Sequence, residues 1–153
     1  MDAPEIEACL ADLGQELQAV GVGQLIRILV VGGAYMLTQL HNRSSTRDVD
    51  VILKDIDDPS TSPLYPAIQA SVRAVAQQHG LPSTWLNDVI SDALRAQGIV
   101  PEGILWRVYG PLEVYMPEPE YILALKLLAG RPQDIPDIQA LNAQLSVSLR
   151  AQA

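Results

Sequence analysis

Asp48 and Asp50 stand one residue apart in Arg47-Asp48-Val49-Asp50-Val51, within an otherwise apolar run. Side chains on a strand alternate between faces, so both carboxylates point one way and Val49 and Val51 the other. Two neighbouring carboxylates repel and raise each other's pKa unless a cation lies between them. Mg²⁺ or Mn²⁺ takes oxygen ligands and commonly combines one or two carboxylates with substrate phosphates. Two such ions bridged by the pair would clamp an in-line phosphoryl displacement. A bare Asp-x-Asp more often marks the solvated face of a strand. Gly32-Gly33, some fifteen residues upstream, changes the weighing. It closes an apolar run and opens a helical one, where backbone can approach a phosphate and a helix start offers free N–H groups. Alone, a Gly-Gly pair is usually a tight strand-to-helix turn. Strand, Gly-Gly, helix, loop and Arg-Asp-Val-Asp together are far more specific than either part.

Further residues carry matching chemistry. Arg43 and Arg47 lie on the loop before the aspartates, where a planar guanidinium can grip phosphate bidentately; a solvated loop is the plainer reading. Lys126 sits inside Ile122-Leu123-Ala124-Leu125-Lys126-Leu127-Leu128-Ala129. A helix so apolar is expected to be largely buried, and its lysine then needs an anion or a route to solvent. The anion is either a nucleotide's triphosphate or a structural carboxylate. Asp134 reads as the N-cap of a helix from Ile135, with Asp137 closing a capping-box-like turn; alternatively Asp134 orients Lys126 or Arg131. In Leu112-Glu113-Val114-Tyr115-Met116, Glu113 and Tyr115 share the face opposite the aliphatic one. Trp85 reads as a core anchor, while Asn87 and Asp88 are candidates for an acceptor side. His41 and His79 lack metal-ligand spacing.

The elements that must position these groups follow from periodicity. Ile6, Leu10, Leu13 and Leu17 predict a helix over 3–20, ended by Gly21 and Gly23. Strands are expected over 27–31 and 47–53, with a short helix over 33–39 and a loop over 41–46 between them. A turn-rich connection with three prolines leads to helices over 64–78 and 85–97. Two short strands over 103–116 surround Gly110-Pro111, and helices over 120–128 and 135–150 follow. The order implies one α/β (α+β) domain spanning residues 1–153, with its core over about 24–141 and a small mixed sheet flanked by helices.

The stretch "GGAYMLTQLHNRSSTRDVDV" resembles the first motif of the nucleotidyltransferase fold of the DNA polymerase beta superfamily: Gly-Gly, a short helix, then Asp-x-Asp on the next strand. The nearer likeness is to minimal AbiEii-type toxin nucleotidyltransferases and their bacterial relatives. "EYILALKLLAGRPQDIPDIQAL" is similar to their downstream lysine helix with its arginine and aspartate, and "WLNDVI" is similar to a further segment. The resemblance implies metal-dependent transfer of a nucleoside monophosphate from an NTP to an acceptor hydroxyl. It implies Asp48, Asp50 and a third acid, Glu113, on Mg²⁺ or Mn²⁺, with Glu113 a candidate general base. Gly32, Gly33, Arg43, Arg47 and Lys126 would hold the nucleotide, and Asp134 would orient the lysine. The acceptor would be tRNA, a protein or a small molecule, and an antitoxin or second copy a protein partner. A non-catalytic nucleotide- or partner-binding protein on the same scaffold is the alternative.

Composition bounds the rest. The 153-residue chain is 48% hydrophobic, enough for a core, and with no Phe that core must rest on Leu, Ile, Val and Ala. The net charge of −8 argues against binding long nucleic acid through an overall field, though not against a local basic pocket. A single cysteine, Cys9, excludes an internal disulfide. No apolar run is long enough to span a bilayer, and the acidic start lacks a signal peptide's basic region, so a cytoplasmic protein is expected.

Overall fold

In the computed structural model, which describes residues 1–98 and 100–152, a five-stranded mixed sheet is flanked by helices. The first helix, α1 (Ala3–Ala19), begins where Asp2 and Glu5 bond each other's backbone N–H groups, with Pro4 in the first turn. That capping box satisfies two orphan donors. Its stripe Ile6, Leu10, Leu13 and Leu17 is buried.

Strand β1 (Ile26–Val31) is the middle of the sheet. It pairs antiparallel with β2 (Val49–Leu53) and parallel with the later strand β5 (Leu112–Met116). Outside these lie β3 (Leu86–Asn87), parallel to β2, and β4 (Ile104–Tyr109), antiparallel to β5. The order β3-β2-β1-β5-β4 therefore places the sequence-distant β5 beside β1. Strand β1 is almost wholly buried, as its unbroken aliphatic run requires of an interior strand. Helices α3 (Leu64–His79) and α5 (Pro119–Ala129) end at Gly80 and Gly130, both left-handed at φ 64° and 61°. One contiguous core joins the sheet to α1 and α3 and includes Trp85, 0% exposed and donating Nε1–H to the Val72 carbonyl at 2.9 Å.

Three expectations are corrected. The helix expected over 85–97 is instead strand β3 followed by a short helix, α4 (Ser91–Ala96); the buried Trp85 and the pairing of Leu86 and Asn87 with β2 override helical periodicity there. The helix after Gly32 is one α-turn, α2 (Gly32–Tyr35), running into a π-turn over Met36–Leu40 that His41 closes at φ 57°. Helix α5 is not buried all round. Ile122 and Lys126 are buried while Leu127 and Leu128 are 59% and 78% exposed, because only one face packs on the final helix, α6 (Ile135–Gln152).

Candidate functional site

Aspartates 48 and 50 reach one cavity from β2. The strand begins at Val49, so Asp48 stands just before it and Asp50 inside it, both half-buried. Asp50 lies opposite Val31, the last residue of β1, and Gly32 follows at φ 69°. A Cβ on Gly32 would stand 2.5 Å from Asp50 Oδ2. Glycine is therefore required twice, for the left-handed backbone and for the approach of the carboxylate. Gly33 is packed differently: its missing Cβ would meet Thr46 Oγ1 at 2.9 Å and Arg43 at 3.2 Å, so it seats the loop that carries the aspartates.

Across the cavity stand Lys126 and Arg131. The space between, about 670 Å³, is lined by Gly32, Asp48, Asp50, Asn87, Lys126 and Arg131, with Ile122 and Leu125 as an apolar wall. Lys126 is 6% exposed and bonds two buried carboxylates, Asp134 at 3.2 Å and Asp137 at 2.9 Å. Arg131 Nε also donates to Asp134, at 2.8 Å. Asp137 accepts from Asn42 at 2.9 Å and from Arg43 Nε at 3.1 Å, and its second oxygen pairs with the Arg43 NH2 group. Three cations against two carboxylates leave this wall one net positive charge, facing the two negative charges of Asp48 and Asp50.

The electrostatics of the two sides differ. Burial and the neighbouring Asp48 raise the Asp50 pKa, against a hydrogen bond from Asn87 and the attraction of Arg131 and Lys126. Burial alone would also raise Asp137, yet the hydrogen bonds from Arg43, Lys126 and Asn42 outweigh it and bring the carboxyl down to about 2. Asp134 is lowered in the same way, burial being outweighed by Arg131 and Lys126. The carboxylates of the cation wall are thus fully paired, while Asp50 carries a charge that its surroundings only partly offset.

Gly32, Asp48, Asp50 and Lys126 therefore line one cavity, with Gly33, Arg43 and Asp134 behind them. Arg43 faces Asp137 rather than the cavity, and Asp134 is bonded by Lys126 and Arg131 in a 3₁₀ turn over Pro132–Asp134. Arg47 is exposed and does not line the cavity. Glu113 is not at the site. It pairs in register with Arg27, while Asp50 pairs with Val31, four residues further along β1. That puts Glu113 roughly 13 Å away along the strands, at the opposite end of the sheet, where it accepts from the Tyr115 hydroxyl at 3.0 Å. The expectation of Glu113 as third acid or base fails because strand alternation predicts a face and not a height.

Sequence reasoning read Asp137 only as a cap and gave Asn42 no role. A buried lysine among apolar residues implies more than one acceptor, since three N–H donors must be met, and that signal was available. Among the described residues no group of three or more His, Cys, Asp or Glu side chains is arranged to hold a metal ion. The donor set of Asp48 and Asp50 suits a hard cation whose remaining ligands are water and phosphate oxygens, not a protein-only cage. No described helix is long and apolar enough to cross a membrane. No family model, curated protein or solved structure matches this chain.

Proposed function

We propose that the chain is a nucleotidyltransferase-type protein that binds a metal–NTP complex and transfers its nucleoside monophosphate to an acceptor hydroxyl. The observation that carries this reading is the pairing, across one 670 Å³ cavity, of two neighbouring carboxylates with two cations, beside a glycine turn against which Asp50 packs. A triphosphate bridged to the carboxylates by a divalent cation matches that charge pattern. Asp48 and Asp50 would hold Mg²⁺ or Mn²⁺, which when bound supplies charge neutralisation at the phosphate oxygens. Lys126 and Arg131 orient the outer phosphates, with Asp134 and Asp137 fixing the lysine, and Arg43 and Asn42 fixing Asp137. Ile122 and Leu125 offer a dry surface for the nucleoside. The kinship with AbiEii-type toxins, an antitoxin or second copy as partner, and a cytoplasmic place of action belong to the same reading.

The position of Glu113 favours one second reading, binding of the nucleotide without transfer. Incubation with each α-labelled NTP, Mg²⁺ or Mn²⁺ and cell extract separates the two. Transfer of label with pyrophosphate release, reduced at least a hundredfold in Asp48→Asn/Asp50→Asn, is expected. Saturable Mn²⁺–NTP binding without pyrophosphate release would establish the second reading. Neither binding nor labelling with any NTP, or equal labelling by the double variant, would overturn both.

A further inference from the structure

A second cavity, about 260 Å³, lies where α3 faces the β3 edge. Thr84 and Asn87 line both cavities, and Asn87 is the register partner of Asp50, so the two spaces adjoin around the β3 edge. Its floor is Leu53, Ile68, Val72 and Leu86. Its polar centre is Asp88, half-buried, which accepts from the Tyr65 hydroxyl at 3.2 Å and has no cation within ion-pairing distance among the described residues. Burial and Asp88 both raise the Tyr65 pKa, so Tyr65 stays a donor and cannot neutralise the carboxylate. Arg73, the other charged residue of this wall, lies two helical turns from Tyr65, roughly 12 Å along α3, and is solvent-exposed.

We infer that this second cavity is the acceptor pocket, and that it takes a compact hydroxyl compound carrying a positive charge, which ion-pairs with Asp88. The inference rests on the nucleotidyltransfer reading for the chemical step and on the cavity itself for the ligand class. The space is too small for a folded RNA end, and a half-buried carboxylate that no described cation pairs with disfavours a polyanion. In the step, the acceptor oxygen attacks the α-phosphorus, forming the new P–O bond. The bond from the α-phosphorus to the bridging oxygen breaks, and pyrophosphate leaves with that electron pair. The acceptor's proton passes to water.

The test separates ligand class from chemistry. Backbone amide resonances are followed by NMR during titration with three hydroxyl probes of similar size: ethanolamine (cation), ethylene glycol (neutral) and glycolate (anion). Saturable shifts at Tyr65, Asn87 and Asp88 are expected with ethanolamine, at a concentration at least tenfold below the other two. Asp88→Asn, which keeps shape, is expected to erase the preference. Shifts of equal size from all three probes, tighter glycolate binding, or no saturable shift would overturn the ligand class whether or not the protein turns over NTP.

For the acceptor role, label from α-labelled NTP is traced into low-mass, RNA and protein pools of cell extract. It is expected in the low-mass pool. Gln69→Trp, at an exposed lining position of α3, is expected to cut labelling more than tenfold with Mn²⁺–ATP affinity within twofold. A thermal melt checks that the variant folds, and Asp88→Asn repeats the measurement with minimal change of shape. Label in RNA or protein, or unchanged labelling in both variants, would overturn the acceptor assignment. Ethanolamine binding with no labelling by the wild type would leave the cationic site standing and overturn its acceptor role together with the transfer reading.

Discussion

The two sides of the cavity respond to charge removal in opposite ways. Asp50 has a raised pKa in the folded chain, so its ionisation works against folding once the pH passes its unfolded value. Asp50→Asn is therefore expected to melt at or above the wild-type temperature at pH 7. The difference should vanish below the usual carboxylate range, where both side chains are neutral. Addition of Mn²⁺ should raise the wild-type melting temperature and leave the variant nearly unchanged, since only a cation that binds the folded state stabilises it. Asp137 behaves inversely. Its carboxyl titrates at about 2, so its ionised form stabilises the fold above pH 4 and that contribution disappears as pH falls from about 4 towards 2. Asp137→Asn is expected to cost on the order of 2 kcal/mol at pH 7, with a deficit that shrinks over that acid window. Melting curves recorded from pH 2 to 7 check both signs. Metal binding would thus relieve the cost of ionising Asp50, while the carboxylates of the opposite wall are already paired without any ligand.

At the scale of elements, the decisive piece is the turn from β1 into α2. Gly32 combines φ 69° with a side-chain position already occupied by Asp50. Gly32→Ala is expected to cost about 1–3 kcal/mol from backbone strain alone and to displace the Asp50 carboxylate. Loss of Mn²⁺–NTP affinity should then exceed the loss of stability, which calorimetry and denaturant titration separate. Gly-Gly before a helical pattern made this turn legible in the sequence, and the strong aliphatic run made β1 legible. The segment after Trp85 was not, because Leu86, Ile90 and Leu94, four residues apart, fit a helical stripe as well as they fit an edge strand and a short helix. The exposure of Leu127 and Leu128 was equally hidden: composition reports that a helix is apolar, not which of its faces finds a partner.

For the molecule as a whole, the sequence carried the mixed sheet with flanking helices and the meeting of Gly32, Asp48, Asp50 and Lys126. It could not carry the heights of residues along neighbouring strands, which depend on the parallel register of β5 on β1. That register removes Glu113 from the cavity, so Glu113→Gln is expected to leave nucleotide affinity and any labelling within about twofold of wild type. A loss comparable to that of the Asp48→Asn/Asp50→Asn variant would return Glu113 to the site. A chain with net charge −8 still gathers Arg43, Lys126 and Arg131 around the buried carboxylates Asp134 and Asp137.

The contact between Arg43 and Asp137 spans 94 positions of the chain, and the one between Asn42 and Asp137 spans 95. Such distant pairings form late, after the loop between them has closed. On a ribosome, the aspartates and the glycine turn emerge first and stand without their counter-wall while some eighty further residues are made. The nascent chain therefore holds half of an ionic clasp. Nothing resembling the finished cavity exists until α5 and α6 are synthesised and dock, so the arrival of these late elements is what closes the clasp.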